Sequence, residues 1–158
     1  MFRPMRRKEK ALPTEDAKKL LFSARRGVLA MNGDDGYPYA IPLNYRYAET
    51  ENVIYFHSAG TGYKAELLAK NSKVCFTVYG NETVKAEVWA PYVQSVVVFG
   101  RCKRIEDRAQ VLSLLRQLAD KYYPDTAQIE QEIAVYGNTV QIYAIEIEHM
   151  SGKKIQEK

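Results

Sequence analysis

His57, Ser58, Thr61 and Lys64 are polar side chains crowded around Gly60 and Gly62 in a stretch that reads VIYFHSAGTGYKAELLAKN from Val53 to Asn71. The order is a β-branched and aromatic run, a small-residue loop, then an amphipathic helical pattern. A strand that ends in a donor-rich turn opening a helix suits a phosphate. The glycines let the backbone approach the anion, the first helical N–H groups point at it, and the helix dipole favours negative charge there. Lys64 adds a point charge, and Ser58 and Thr61 add hydroxyl donors. Neither G-x-x-x-x-G-K-[ST] nor G-x-G-x-x-G occurs, so the loop is not a P-loop or a dinucleotide fingerprint. A solvated strand-to-helix turn accounts for the same residues, and spacing alone leaves both readings open.

The elements that must position these residues form one domain. The chain has 158 residues, 46% hydrophobic and 27% charged, which is globular composition with room for a core. Tyrosine is abundant, at 12 residues against 5 Phe and one Trp, and suits half-wet sheet faces and interfaces. Net charge is +4, part of it in tails carrying Arg3, Arg6, Arg7, Lys8 and Lys10 at the start and Lys153, Lys154 and Lys158 at the end. That balance reads as solubility plus a few cofactor contacts rather than a nucleic-acid surface. Cys75 and Cys102 read as reduced, mostly buried thiols of a cytoplasmic protein, and with His57 and His149 they lack metal-ligand spacing. No apolar run approaches the roughly 20 residues of a membrane span, so no membrane partner is expected.

Residues 1–13 form a basic arm, and 14–158 a single domain. Thr14 reads as a helix N-cap, with the helix closing at Arg25 and Arg26 before Gly27. Gly27 to Met31 is a short strand, Asn32 to Gly36 a turn, and Tyr37 to Tyr47 one long strand whose Pro38 and Pro42 require an edge or a bulge. Strands then follow at Val53 to Ser58, Lys73 to Tyr79, up to Trp89, and Ser95 to Ile105, the last interrupted by Gly100. Gly80 to Lys85 reads as a loop, and Pro91 as a break. Helices are expected over Lys64 to Asn71, Glu106 to Tyr123 and Thr126 to Ala134. The final strand, Thr139 to Glu148, alternates Val140, Ile142 and Ala144 against Gln141, Tyr143 and Ile145. Antiparallel neighbours with connections too short for parallel crossovers predict a mainly β, α+β split barrel of about six or seven strands with flanking helices.

Several segments in order carry a family resemblance. They are Met5 to Lys8 (MRRK), Gly36 to Tyr45 (GYPYAIPLNY), Ile54 to Ala59 (IYFHSA) with Gly62 and Lys64, Tyr92 with Ser95 to Gly100 (SVVVFG), and His149 to Lys153 (HMSGK). Together they resemble the split β-barrel flavoproteins related to pyridoxamine 5′-phosphate oxidase, in particular the nitroimidazole-resistance branch. The resemblance implies an FMN-binding homodimer with flavin at the subunit interface. Carried over by position, Pro42, Leu43 and Asn44 run beside the isoalloxazine, mainly through backbone groups. His57, Ser58 and Lys64 face the phosphate and ribityl end, and Ser95 approaches the ring from another strand. The chain departs from pyridoxamine phosphate oxidases proper at Tyr63 and Ile41, where they have arginines, and at Ser95, where they have glutamine. No counterpart of their C-terminal substrate-binding segment is expected after Lys153. Pyridoxamine phosphate oxidation is therefore not expected, and Arg6 or Arg7 of the arm is the candidate to replace a missing cation.

The resulting expectation is an FMN-dependent oxidoreductase acting on a small planar acceptor such as a nitro-aromatic compound, with no side chain dedicated as acid, base or nucleophile. His149 reads as a surface or interface residue, Trp89 as core, and Asp34 with Asp35 as turn residues. Two other classes share the fold signal. One is a haem-binding or haem-degrading split barrel using His57 or His149 as axial ligand. The other is a non-catalytic flavin or nucleotide module.

Overall fold

The computed structural model describes residues 1–87 and 90–156; Trp89 lies outside the described residues, and Ala86 and Glu87, expected in a strand ending at Trp89, form a turn instead. In chain order the elements are α1 (Thr14–Ser23), β1 (Gly27–Asn32), β2 (Pro38–Leu43), β3 (Arg46–Ala48), β4 (Val53–Ala59), α2 (Tyr63–Lys70) and β5 (Lys73–Lys85). They continue with β6 (Ala90–Arg104), α3 (Arg108–Asp120), α4 (Thr126–Tyr136) and β7 (Val140–Gln156). All seven strands join one antiparallel sheet in the order β2-β1-β5-β6-β7-β4-β3.

The two edge strands, β2 and β3, are consecutive in sequence. Only Asn44 and Tyr45 join them, and three Cα steps span at most roughly 11 Å. The sheet therefore curls until its edges nearly meet, which makes it a split barrel of the expected kind. Pro38 and Pro42 sit on the β2 edge, where a missing N–H costs no ladder bond. The single long strand expected from Tyr37 to Tyr47 is instead broken at this strap. Tyr45 is fully buried, and its hydroxyl donates to the Leu21 carbonyl at the end of α1.

Two apolar layers hold the barrel. The inner one includes Leu20 and Leu21 of α1, Phe56 of β4, Leu67 of α2, Phe76 of β5 and Val98 of β6. The outer one packs Val111, Leu114 and Leu118 of α3 against Tyr55, Ile142 and Ala144. Residues 142–145 are all buried because β7 is covered on both faces: Tyr143 and Ile145 face the inner layer, Ile142 and Ala144 the outer. Each buried Val, Leu, Ile or Phe side chain of these layers contributes about 1.5–3 kcal/mol.

Element ends differ from the sequence reading where tertiary partners decide them. α1 is entered from Pro13 without a side-chain cap and ends at Ser23, so Thr14 is its first residue and not its N-cap. Gly80 to Lys85 continues β5 rather than looping, because Thr83, Val84 and Lys85 pair with Tyr92, Pro91 and Ala90. An irregularity between Gly80 and Thr83 takes up Asn81, whose φ is 54°, and the Asn81 amide donates to Gln94. Pro91 lies within β6 and is no break. β7 runs on to Gln156, since Tyr92 to Phe99 of β6 pair with its polar second half. The basic arm lies along that half, with Ala11 bridging Lys153 and the Leu12 N–H donating to Gly152.

Tyr122, just past α3, fixes the strap. Its hydroxyl accepts the Tyr45 N–H at 2.9 Å and stands 2.9 Å from the carbonyls of both Tyr45 and Arg25, to which its single proton donates in turn. Tyr122→Phe strands that N–H in a half-buried position. The expected loss is about 1–3 kcal/mol, read as a lower thermal midpoint with an unchanged circular dichroism spectrum.

Candidate functional site

The chain reverses from β4 into α2 through Gly60, Thr61 and Gly62. Gly62 has φ 108° and ψ 170°, a conformation essentially closed to L side chains. Its carbonyl accepts the Glu66 N–H, and no side chain caps the helix. The N–H groups of Tyr63, Lys64 and Ala65 are thus free of intrahelical partners at the positive end of the dipole.

Lys64, in that first turn, is half-buried. Its ammonium stands 5.7 Å from the centre of the Phe56 ring and has no hydrogen-bond or ion-pair partner among the described residues. Burial lowers its pKa below the usual lysine value. His57 is open to solvent on one side, but the protein around it removes enough water to lower its pKa, and the Lys64 charge lowers it further. Ser58 is the one buried polar residue among the described residues. Strand alternation separates these neighbours, with Ser58 on the inner face beside Phe56 and His57 on the outer face beside Tyr55.

Two cavities flank the loop. The outer one, about 330 Å³, lies between the α3–α4 pair and the sheet and brings Asn44 and His57 together with Leu118, Tyr122, Ile133 and Tyr136. The second, about 500 Å³, is lined by Gly60, Thr61 and Gly62, with Cys102, Arg104 and Tyr143 opposite. Arg104 is paired with Glu106 and Lys103 with Glu146, whereas Lys64 has no such partner among the described residues. Burial pushes the Cys102 thiol up to about 12, which leaves it a protonated, unreactive core group.

Pro42, Leu43 and Asn44 end β2 and begin the strap. Pro42 is exposed, and Leu43 and Asn44 are half-buried. Because β2 is a sheet edge, its outward N–H and C=O groups have no strand partner. Val28 pairs with Pro42 on one side and Thr77 on the other, and Thr77 pairs with Val97. Ser95 therefore lies two residues along β6 from the cross-sheet row that contains Pro42. Ser95 is far from His57 along β7, since its partner Lys153 lies eleven positions beyond Ile142, the partner of His57. One chain thus presents two groups, Pro42 to Asn44 with Ser95 and His57 to Lys64, linked through Asn44 and His57 at the outer cavity. The arm with Arg6 and Arg7 docks at the Lys153 end of β7, not at the Lys64 end. His149 is half-buried and stacks on Phe2, ring centres 4.9 Å apart. Asp34 and Asp35 are turn residues, Asp34 pairing with Lys70.

Sequence reading missed the α3–α4 wall of the outer cavity. A signal was present: α4 (TAQIEQEIAVY) is richer in apolar residues than its one buried position, Ile129, requires.

The family model described as pyridoxamine 5′-phosphate oxidase matches residues 13–154, and the chain belongs to that family. No curated protein matches it. Solved structures share the fold. A protein from Bacteroides thetaiotaomicron, provisionally described as a 5-nitroimidazole antibiotic resistance protein, is 19% identical with a TM-score of 0.77, covering 92% of this chain and 87% of that one. An FAD-binding protein from Mesorhizobium loti is 26% identical with a TM-score of 0.67, over 92% and 97% of the two chains. An FAD and heme binding protein from Mycobacterium smegmatis is 20% identical with a TM-score of 0.73, over 94% and 74%. No described helix is long and apolar enough to cross a membrane.

Proposed function

We propose that this chain binds FMN as a cytoplasmic homodimer and passes its electrons to a small planar acceptor such as a nitro-aromatic compound. One observation carries the reading: an unpaired, half-buried Lys64 stands in the first turn of α2, behind a glycine at φ 108° and beside uncapped N–H groups. An isolated cation is costly in such a place unless an anion joins it. A phosphate monoester fits this donor set, and its negative charge restores the balance that Lys64 and His57 lack in its absence.

When bound, the flavin supplies the hydride or single-electron chemistry. The chain does the rest. Lys64 and the α2 N-terminus anchor the phosphate, and the Ser58 and Thr61 hydroxyls are donors toward the ribityl end. The free edge of β2 at Pro42, Leu43 and Asn44 offers backbone hydrogen bonds to the ring. Ser95 belongs to the β2 group, remote from Lys64 along β7, so a second subunit completing each site accounts for both groups. Ile41, Tyr63 and Ser95 stand where pyridoxamine phosphate oxidases have other residues, so oxidation of that substrate is not part of the proposal.

The test compares FMN with riboflavin, which lacks the phosphate, by quenching of flavin fluorescence. FMN is expected to bind at least about 100-fold tighter, the equivalent of two charge-assisted hydrogen bonds. Equal affinities would remove the phosphate from the account. A pH dependence accompanies this. His57 has a folded pKa below its unfolded value, so its share of apoprotein stability is lost as pH falls from about 6.5 toward the folded value. A phosphate beside it raises that pKa, so binding takes up a proton and FMN affinity rises as pH falls from 8 to 6.5. His57→Asn is expected to flatten this dependence in the same titration.

A further inference from the structure

α4 carries Gln128, Glu132 and Tyr136 at intervals of four residues, with Ile129 and Ile133 beside them, and all five line the outer cavity. The Asp125 side chain accepts the Gln128 N–H, which fixes where that helical face begins. The wall is braced from α3. Arg116 grips Glu130 through two hydrogen bonds, and Arg108 holds the carbonyls of Gly137 and Val140. His57 of β4 and Asn44 of the strap complete the lining from the sheet side. The volume, about 330 Å³, gives room for a molecule of one or two rings.

Tyrosines apart, the polar side chains of this lining are Asn44, His57, Gln128 and Glu132, and none has a hydrogen-bond or ion-pair partner among the described residues. Convergent polar groups left open in an apolar cavity are what orient a small ligand. Their charge has one sign. No arginine or lysine among the described residues lines the cavity, and Glu132 is its one carboxylate. The Lys121 ammonium is engaged elsewhere, 3.9 Å over the Tyr45 ring and donating to the Ala24 carbonyl. His57 adds no charge at pH 7, since burial and the Lys64 charge hold its pKa below the usual histidine value. Tyr123 and Tyr136 line the cavity yet are 61% and 57% exposed, so two aromatic rings stand open at its mouth. Tyr136 lies one helical turn from Glu132. A carboxylate among open aromatic faces favours a cation.

We propose that this cavity binds a small aromatic amine or amidine, its ring between the α3–α4 wall and the sheet and its cationic nitrogen at Glu132 and the exposed tyrosines. The Asn44 and Gln128 amides and the neutral His57 imidazole supply acceptors for further N–H groups of such a ligand. The same carboxylate disfavours an anionic ring of equal size. The ligand site stands on its lining alone. Its use as the acceptor site rests on the flavin reading, because Asn44 and His57 are also residues placed near the cofactor.

The test is calorimetric titration of the FMN-saturated full chain with benzylamine, benzyl alcohol and benzoate, which share a ring and differ in charge. Benzylamine is expected to bind at least about tenfold more tightly than benzoate, with benzyl alcohol between them. Glu132→Gln should cut that preference several-fold without changing FMN affinity. Ile133→Trp, which fills the cavity, should abolish benzylamine binding while FMN binding and the thermal midpoint stay near wild type. Absence of benzylamine binding, equal binding by benzoate, or benzylamine binding that survives Ile133→Trp overturns the site and leaves the flavin reading standing. Benzylamine selectivity in a chain that ignores FMN, lost in both variants, upholds the ligand site and removes its link to flavin.

Discussion

Lys64→Met is expected to weaken FMN binding by roughly 10- to 100-fold, the loss of one charge-assisted hydrogen bond worth about 1.5–3 kcal/mol. Lys64→Glu should abolish retention altogether, since a carboxylate then faces the phosphate at close range, where one pair of unit charges repels by about 4 kcal/mol at 4 Å in a surface-like dielectric. Stability should move the other way for the methionine variant. Lys64 is half-buried against Phe56 with no counter-charge, so an apolar side chain of similar length removes an uncompensated desolvation cost. The apoprotein midpoint should stay level or rise. A structural lysine would lower both affinity and stability on replacement, so fluorescence titration and thermal melting of one variant separate the two roles.

Gly100→Ala should destabilise the fold by about 2–4 kcal/mol, a fall of roughly 5–15 °C in thermal midpoint. An added Cβ would stand 2.4 Å from the carbonyl oxygen of Glu146 and 2.9 Å from Cγ2 of Ile145. The first of these atoms is backbone in the β6–β7 ladder, directly at the irregularity between Phe99 and Gly100. It cannot yield without breaking the pairing around it. Gly60→Ala is the control, since its nearest contact there is the flexible Gln141 side chain at 3.5 Å, and a change within about 1 kcal/mol is expected. A loss at Gly100 no larger than that at Gly60 would mean that the β6–β7 ladder yields to the added methyl.

Local chemistry made much of this architecture legible. Turn residues around Asp34, prolines that demanded an edge at β2, and the two-sided alternation of Ile142 to Ile145 all point to features the fold contains. The Gly62–Lys64 turn was legible because a glycine at an L-forbidden conformation and a basic first turn leave marks in a single segment. What stayed hidden depends on partners distant in sequence. The strap at Asn44 and Tyr45 breaks a continuous strand pattern only because Tyr45 finds Leu21 and Tyr122. Gly80 to Lys85 has loop composition yet becomes strand because Ala90 to Tyr92 return alongside it. Arg25 and Arg26 lie some 95 residues before Lys121 in the chain and meet it beside the Tyr122 ring, with the Lys121 ammonium over Tyr45. No window of sequence contains that cluster.

The central claim is that Lys64 and its turn hold the phosphate of a flavin. It is tested most directly by the absorbance spectrum of the purified protein, before and after addition of FMN, with the bound chromophore released and identified. The account predicts flavin bands near one per subunit and FMN as the released species. A protein that stays colourless with added FMN, or that shows a haem Soret band instead, would contradict it.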